Sequence, residues 1–295
     1  MLTYNKESRP VRDFFMKKIQ YFLLTKLVGL YINLISFFNP EKAKQIAYTI
    51  FSQPRKGKIK NGKLPKTLQS AQQETLHYDG ENFQVYTWSG NDEIILLLHG
   101  WESNASRWKK LLQYLKPQGK TIIAIDAPAH GQSTGKEFNA PRYAEFIHVL
   151  LQKYQPKTLI GHSIGGAAIA FYLNKYPNDH IDKIVLLGAP SSFKKISDNF
   201  ISLLSLNKKV QNRLEQYYHE KFNIHINDFA GHLFAQNFTQ KAIIAHDADD
   251  SVIKVEEGRQ YAAAWKNAIY IETQGLGHSM HDKTLYQQIA EFVGA

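Results

Sequence analysis

The residues best suited to chemistry are Gly161-His162-Ser163-Ile164-Gly165, with Gly166 following. They stand where an apolar strand, Thr158-Leu159-Ile160, gives way to a small-residue helix, Ala167-Ala168-Ile169-Ala170. A serine on a sharp strand-to-helix turn is held strained, with its hydroxyl exposed above the sheet edge. Glycines flank it because side chains there would collide with the neighbouring strand and helix. The helix that follows aims its N-terminus at the serine, where backbone N–H groups favour developing negative charge. The plainer reading is a glycine-rich turn in an ordinary α/β domain, and the strand-turn-helix context argues against it. A serine hydroxyl is a weak nucleophile at neutral pH and needs a base, a histidine oriented by a carboxylate. Two stretches near the C-terminus, each after an apolar strand, supply both partners. They are His246-Asp247-Ala248-Asp249-Asp250-Ser251-Val252 and Gly275-Leu276-Gly277-His278-Ser279-Met280-His281-Asp282.

Holding these residues together takes a sheet. Glu74–Asp79 and Phe83–Trp88 read as an antiparallel pair joined by a turn. Short apolar runs then follow at 94–98, 121–125, 158–160, 184–187, 242–245 and 269–271. Helical stretches at 107–115, 143–154, 164–176, 256–265 and 285–293 lie between and after them. Buried strands without polar alternation, separated by amphipathic helices, predict an α/β fold with a mostly parallel sheet covered on both faces. Ligands bind beyond the carboxyl ends of such strands, where the candidate residues fall. From Pro190 to Gln240 the alternation stops and the periodicity is helical, with Phe, Leu and Tyr in abundance. This predicts a helical cap, about 191–240, roofing the substrate pocket, in preference to two ordinary crossover helices.

Over roughly residues 72–295 the chain resembles the α/β-hydrolase superfamily. The resemblance rests on four motifs in order: His99-Gly100-Trp101; Asp126-Ala127-Pro128-Ala129-His130-Gly131-Gln132-Ser133; the elbow Gly161–Gly165; and Gly275–His278. More narrowly, the HGW, DAPAHG and HDADD stretches are similar to those of poorly characterised bacterial hydrolases, a likeness that implies no settled substrate. The resemblance implies Ser163 as nucleophile and His278 as general base and acid. It implies an oxyanion hole from the backbone N–H groups of Ile164 and Trp101. For the acid, Asp247 stands where the family has the glycine of G-x-x-D-x-x-V-P, which puts the acid at Asp250. Ile253-Lys254 replaces the V-P, and taking Val252 as that valine moves the acid to Asp249; Asp247 is the third candidate. The remaining aspartates are expected to cap the next helix or sit in solvent.

His281 is the rival base, disfavoured by the G-L-G-H context of His278. His162 is expected to pack, His99 to brace the oxyanion loop, and Asp126 with His130 to fix their turn. Trp101 and Trp108 are candidates for the pocket lining, Trp108 equally for the core. His246 and its aspartates read as a solvated acidic turn and not as metal ligands. The expected activity is hydrolysis of a small-molecule carboxylic ester or thioester of hydrophobic acyl type, without metal or cofactor. Carbon–carbon bond hydrolysis, acyl transfer, or a non-catalytic membrane-associated binding module are the alternatives. A dehalogenase-type reaction is disfavoured because the nucleophile is serine, not aspartate.

The 295 residues are 43% hydrophobic and 13% aromatic, enough for a sizeable core, and contain no cysteine. That excludes a disulfide framework, a thiolate metal site and a cysteine nucleophile. Of the net charge of +10, residues 1–66 hold 14 Lys/Arg against 3 Asp/Glu, a net of +11. The basic character belongs to that segment, so it is no argument for nucleic-acid binding. Within it, Tyr21–Phe38 is strongly apolar, follows Arg9, Arg12, Lys17 and Lys18, and is interrupted by Lys26 and Asn33. It reads as an amphipathic helix lying on the body or on an anionic membrane, in preference to a transmembrane anchor or a cleaved signal peptide. Arg55–Lys66 reads as a surface linker. The expected division is 1–66, a basic apolar helical segment and linker, and 67–295, the hydrolase domain. The expected location is cytoplasmic, with peripheral membrane contact through residues 1–50. Oligomeric state leaves no mark on the sequence.

Overall fold

The computed structural model describes residues 9–60, 62–176 and 179–295; the side chains of 9–15, 17 and 18, among them Arg9, Arg12, Lys17 and Lys18, lie outside the described residues. The chain divides into two units, residues 1–51 with 194–226, and residues 52–193 with 227–295. The boundary after residue 51 departs from the expected one at 66. Its reason lies in the segment 55–66, which is built into the larger unit. Ile59 N–H donates to Gly131 O (3.0 Å) and Gly131 N–H to Gly57 O (2.9 Å). Lys58 Nζ donates to Ser133 O (2.5 Å). This segment therefore runs over the surface, as expected, but is fastened to the larger unit at Gly57–Ile59.

The larger unit is an eight-stranded sheet: β1 (Gln72–Tyr78), β2 (Glu81–Trp88), β3 (Asn91–Leu98), β4 (Lys120–Ile125), β5 (Thr158–His162), β6 (Lys183–Leu187), β7 (Lys241–Asp247) and β8 (Ala268–Thr273). Their spatial order is β1-β2-β4-β3-β5-β6-β7-β8. The β1–β2 and β2–β4 pairs are antiparallel and the rest parallel. Ile95, Leu96, Leu97 and Leu98 are all buried, so consecutive residues fill both faces of the sheet. That is why these strands read as unbroken apolar runs. One face packs Trp108, Leu111, Leu285 and Ile289 against Ile95, Leu97 and Ile160.

The helices complete the chain: α1 (Arg9–Phe38), α2 (Pro40–Ser52), α3 (Lys66–Gln69), α4 (Leu112–Leu115), α5 (Ala140–Tyr154), α6 (Ile164–Lys175), α7 (Phe193–Leu204), α8 (Lys208–Phe222), α9 (Gly231–Ala235), α10 (Val255–Ala264) and α11 (Lys283–Gly294). The stretch expected as one helix from 107 to 115 is instead a 3₁₀ turn at Ala105–Lys109 followed by α4.

The smaller unit is helical: α1, α2, most of α7, and α8. Lys26 Nζ donates to the carbonyls of Ser202 (3.3 Å) and Leu203 (3.0 Å) and to Ser205 Oγ (2.7 Å), so it caps the C-terminal end of α7. Asn33 donates to Ser205 O (2.8 Å) and accepts from Asn207 N–H (2.8 Å); Asn207 in turn N-caps α8. The two polar residues that interrupt the apolar run of α1 thus anchor the turn between α7 and α8. Of the stretch 191–240 expected as a cap, residues 194–226 fall in this helical unit, and 191–193 and 227–240, including α9, in the larger one.

Candidate active site

Ser163 sits between β5 and α6 with φ 54° and ψ −127°, a conformation side-chain-bearing residues adopt only under strain. Its N–H donates to Leu187 O on β6 (2.8 Å), fixing the turn to the sheet. A Cβ on Gly161 would lie 2.6 Å from Gly166 N, and one on Gly165 would lie 2.2 Å from Leu98 O. Both glycines are therefore demanded by close approach. Glycine takes the Ser163 angles at little cost. Ser163→Gly should accordingly stabilise the fold by about 1 kcal/mol while removing the hydroxyl. Calorimetry reads this directly, and a lowered midpoint would mean that the turn stores no strain.

Ser163, His278 and Asp250, from the ends of three different strands, form a continuous hydrogen-bonded chain. His278 Nε2 is 2.9 Å from Ser163 Oγ, and His278 Nδ1 is 2.7 Å from Asp250 Oδ2. Asp250 also accepts through Oδ1 from the N–H groups of Val252 (2.8 Å) and Ile253 (2.9 Å). Burial alone would raise its carboxyl. Hydrogen bonds from His246, His278 and the Ile253 N–H outweigh burial and hold it well below the usual carboxylate range. An ionised carboxylate only accepts, so the proton of His278 lies on Nδ1 and Nε2 faces Ser163 with its lone pair. A depressed carboxyl contributes stability above its unfolded-state pKa and loses it as pH falls through the folded value. Acid unfolding should therefore begin below about pH 4 and soften in Asp250→Asn.

The turn after β7 is solvated only in part: Ala248, Asp249, Ser251 and Val252 are exposed, while the groups expected in solvent with them are not. His246, Asp247 and Asp250 are all buried. Asp247 Oδ2 accepts from Thr273 Oγ1 (2.7 Å) and Leu276 N–H (3.0 Å). Asp247 Oδ1 accepts from the N–H groups of Gly277 and Asp249 (both 3.0 Å). Exposed Asp249 accepts from Gly275 N–H (3.1 Å). Neither aspartate caps a helix; both fasten the loop that carries His278. His246 lies behind the carboxylate, with Nε2 at 2.9 Å from Ile253 O and 3.4 Å from Asp250 Oδ2. Neither role was read from sequence, where the density of acids after β7 was the only signal. Asp247→Ala leaves buried donors unpaired and should cost about 2–4 kcal/mol, with kcat falling as the loop loosens. Denaturant midpoints test this, and a loss under 1 kcal/mol would contradict it.

The loop after β3 approaches Ser163 closely: a Cβ on Gly100 would lie 2.8 Å from Ser163 Cβ. Buried His99 braces it. His99 Nε2 accepts from Ala127 N–H (2.9 Å), so Nδ1 carries the proton and donates to Gly100 O (2.7 Å). Burial pushes its pKa far down, which keeps the ring neutral in this role. His130 repeats the pattern, accepting from Glu102 N–H (2.9 Å) and donating to Pro128 O (2.8 Å), with its pKa lowered by burial to about 4. Asp126 accepts from Ala105 N–H, Gln132 N–H and Tyr86 OH, all at 2.9 Å. Its carboxyl is raised by burial against these bonds. Among the described residues no backbone carbonyl accepts from the N–H of Trp101 or Ile164.

The rivals are engaged elsewhere. His281 is hydrogen-bonded to Tyr286, and burial first, then Arg107 and Lys110, lowers its pKa to about 4. His162 donates from Nε2 to the backbone carbonyl of His278 (2.7 Å) and so holds that loop. Trp108 belongs to the core, while the Trp101 ring packs on Phe138 and His130.

Residues 93–235 match the family described as the alpha/beta hydrolase fold. A bifunctional esterase/perhydrolase of Acinetobacter calcoaceticus is 29% identical over 155 residues, 48% of this chain and 55% of that protein. A serine hydrolase-like protein of Homo sapiens is 31% identical over 121 residues, 39% of this chain and 58% of that protein. The chain thus spans little more than half the length of these two relatives, and less than half that of a serine hydrolase of Drosophila melanogaster that it also matches. Among solved structures, an esterase of Rhodococcus sp. ECU1013 superposes with a TM-score of 0.57 at 19% identity, over 77% of this chain and 99% of that one.

Proposed function

We propose that this chain, which has the α/β-hydrolase fold, is a serine hydrolase acting on a carboxylic ester or thioester through a covalent acyl-enzyme. The observation that carries the reading is the hydrogen-bonded chain from Asp250 through His278 to Ser163. On this reading His278 Nε2 takes the Ser163 proton as Oγ attacks the acyl carbon. Asp250 stabilises the imidazolium that forms. The oxyanion is received by the Trp101 and Ile164 N–H groups, which need no reorganisation. The imidazolium then protonates the leaving alcohol or thiol, and water, activated by the same histidine, releases the acid. The relatives named as esterase and serine hydrolase support this class of reaction. A hydrophobic acyl group is favoured by the Phe, Leu and Tyr content of residues 191–240.

Hydrolysis of a series of p-nitrophenyl esters of rising chain length tests it. The expected result is a burst of one p-nitrophenol per active chain and a kcat/KM that rises with acyl length. Release without a burst, unchanged in Ser163→Ala, would overturn the assignment.

A further inference from the structure

The surface of α1 is inverted relative to a helix of a soluble protein. Such a helix buries its large apolar side chains along a stripe and shows water its polar ones. In α1 the buried residues Thr25, Gly29, Ile32 and Ser36 follow one another at intervals of four, three and four, forming one narrow seam. Three of these four are small or polar. A Cβ on Gly29 would lie 1.6 Å from Leu204 O, so the seam meets the end of α7 backbone to backbone. Ser36 Oγ accepts from Asn207 (2.9 Å), at the start of α8. The large apolar residues point the other way. Twelve of them between Met16 and Phe38 are about half exposed or more, reaching 90% at Phe38. At 100° per residue they cover most of the circumference that the seam leaves.

We propose that the helical unit docks on an anionic lipid bilayer, with α1 lying in the interface and its seam, covered by the α7–α8 turn, turned away from the lipid. Small and polar residues at the helix contact with large apolar ones outside is the pattern of a helix solvated by lipid. A second copy of the chain would cover one stripe; only a fluid apolar medium covers so wide an arc. Residues 19–38 are also long and apolar enough to cross a membrane. The contacts of the seam argue against crossing. Lys26 and Asn33, at the middle of that stretch, hold the α7–α8 turn. A spanning α1 would carry this turn, and the start of α8 with Lys208 and Lys209, to the bilayer centre, where such charges are excluded. The net charge of +11 over residues 1–66 supplies the attraction to anionic headgroups.

Co-sedimentation of the full-length protein with phosphatidylcholine vesicles, with and without phosphatidylglycerol, tests the proposal. Binding is expected to need phosphatidylglycerol and to weaken with added salt. The triple variant Leu23→Glu, Leu27→Glu, Leu34→Glu changes only exposed positions. It should keep its circular dichroism spectrum and its turnover of a water-soluble ester, and lose vesicle binding by about tenfold or more. Equal binding by variant and wild type would overturn the proposal, as would failure of wild type to bind either vesicle. A dimer in solution that the triple variant dissolves would assign α1 to a second copy instead. Resistance of the bound protein to alkaline carbonate extraction would mean that α1 spans.

Discussion

Replacing Ser163 with alanine is expected to lower kcat for an ester substrate about 10⁴–10⁶-fold while leaving the fold in place. The substitution removes a single atom that matters, the Oγ that lies 2.9 Å from His278 Nε2. Alanine tolerates φ 54° no better and no worse than serine, so the turn stays as strained as before. One partly exposed hydrogen bond is lost, worth about 1 kcal/mol. KM should change little, because the hydroxyl contributes to the transition state and not to ground-state binding. Paired kinetics and thermal unfolding measure both halves. A variant that keeps a tenth of wild-type kcat would remove Ser163 from the reaction, and a collapsed midpoint would make the loss uninformative about chemistry.

The second large effect is expected for Asp250→Asn, about 10⁴-fold in kcat. Asparagine keeps an oxygen for the Val252 and Ile253 N–H groups, so the turn holds its shape. Its amide then faces His278 Nδ1 as a donor. The imidazole must accept there, which moves its proton to Nε2 and points that proton at Ser163 Oγ. A ring in this tautomer takes no proton from the serine. Asp249→Asn should lower kcat by less than about threefold, because exposed Asp249 contributes only a bond to Gly275 N–H. The contrast between the two variants decides which aspartate acts. Equal losses would indicate that both act only by holding the His278 loop.

What the sequence disclosed follows the range of the interactions. The elbow was legible because its glycines are demanded within a few residues by the approach of β5 to α6. The parallel strands were legible because burial on both faces leaves unbroken apolar runs. Ser163, His278 and Asp250 fall where motif order puts them, and the structure brings all three within hydrogen-bonding distance. The role of Asp247 was hidden because it depends on the register of β7 against β8, which sets Asp247 opposite Thr273. Nothing local announces that register. The burial of His246 is hidden for the same reason: an acidic turn looks solvated until the strands that cover it are placed. Residues 55–66 carry the composition of a linker, yet Gly57 and Lys58 find partners at Gly131 and Ser133, over seventy residues away. In α1, hydropathy announced an apolar helix but not which side is buried. That is set by the α7–α8 turn, far along the chain.

The most direct test of an activated serine is labelling of the native protein by a fluorophosphonate, which reacts only where a serine hydroxyl is activated. The proposed reading expects one label per chain, recovered on the peptide containing Ser163, and none in Ser163→Ala or His278→Ala. It expects labelling slowed by orders of magnitude in Asp250→Asn. A folded wild-type protein that takes no label, or takes it equally in the Ser163→Ala variant, would contradict the central claim.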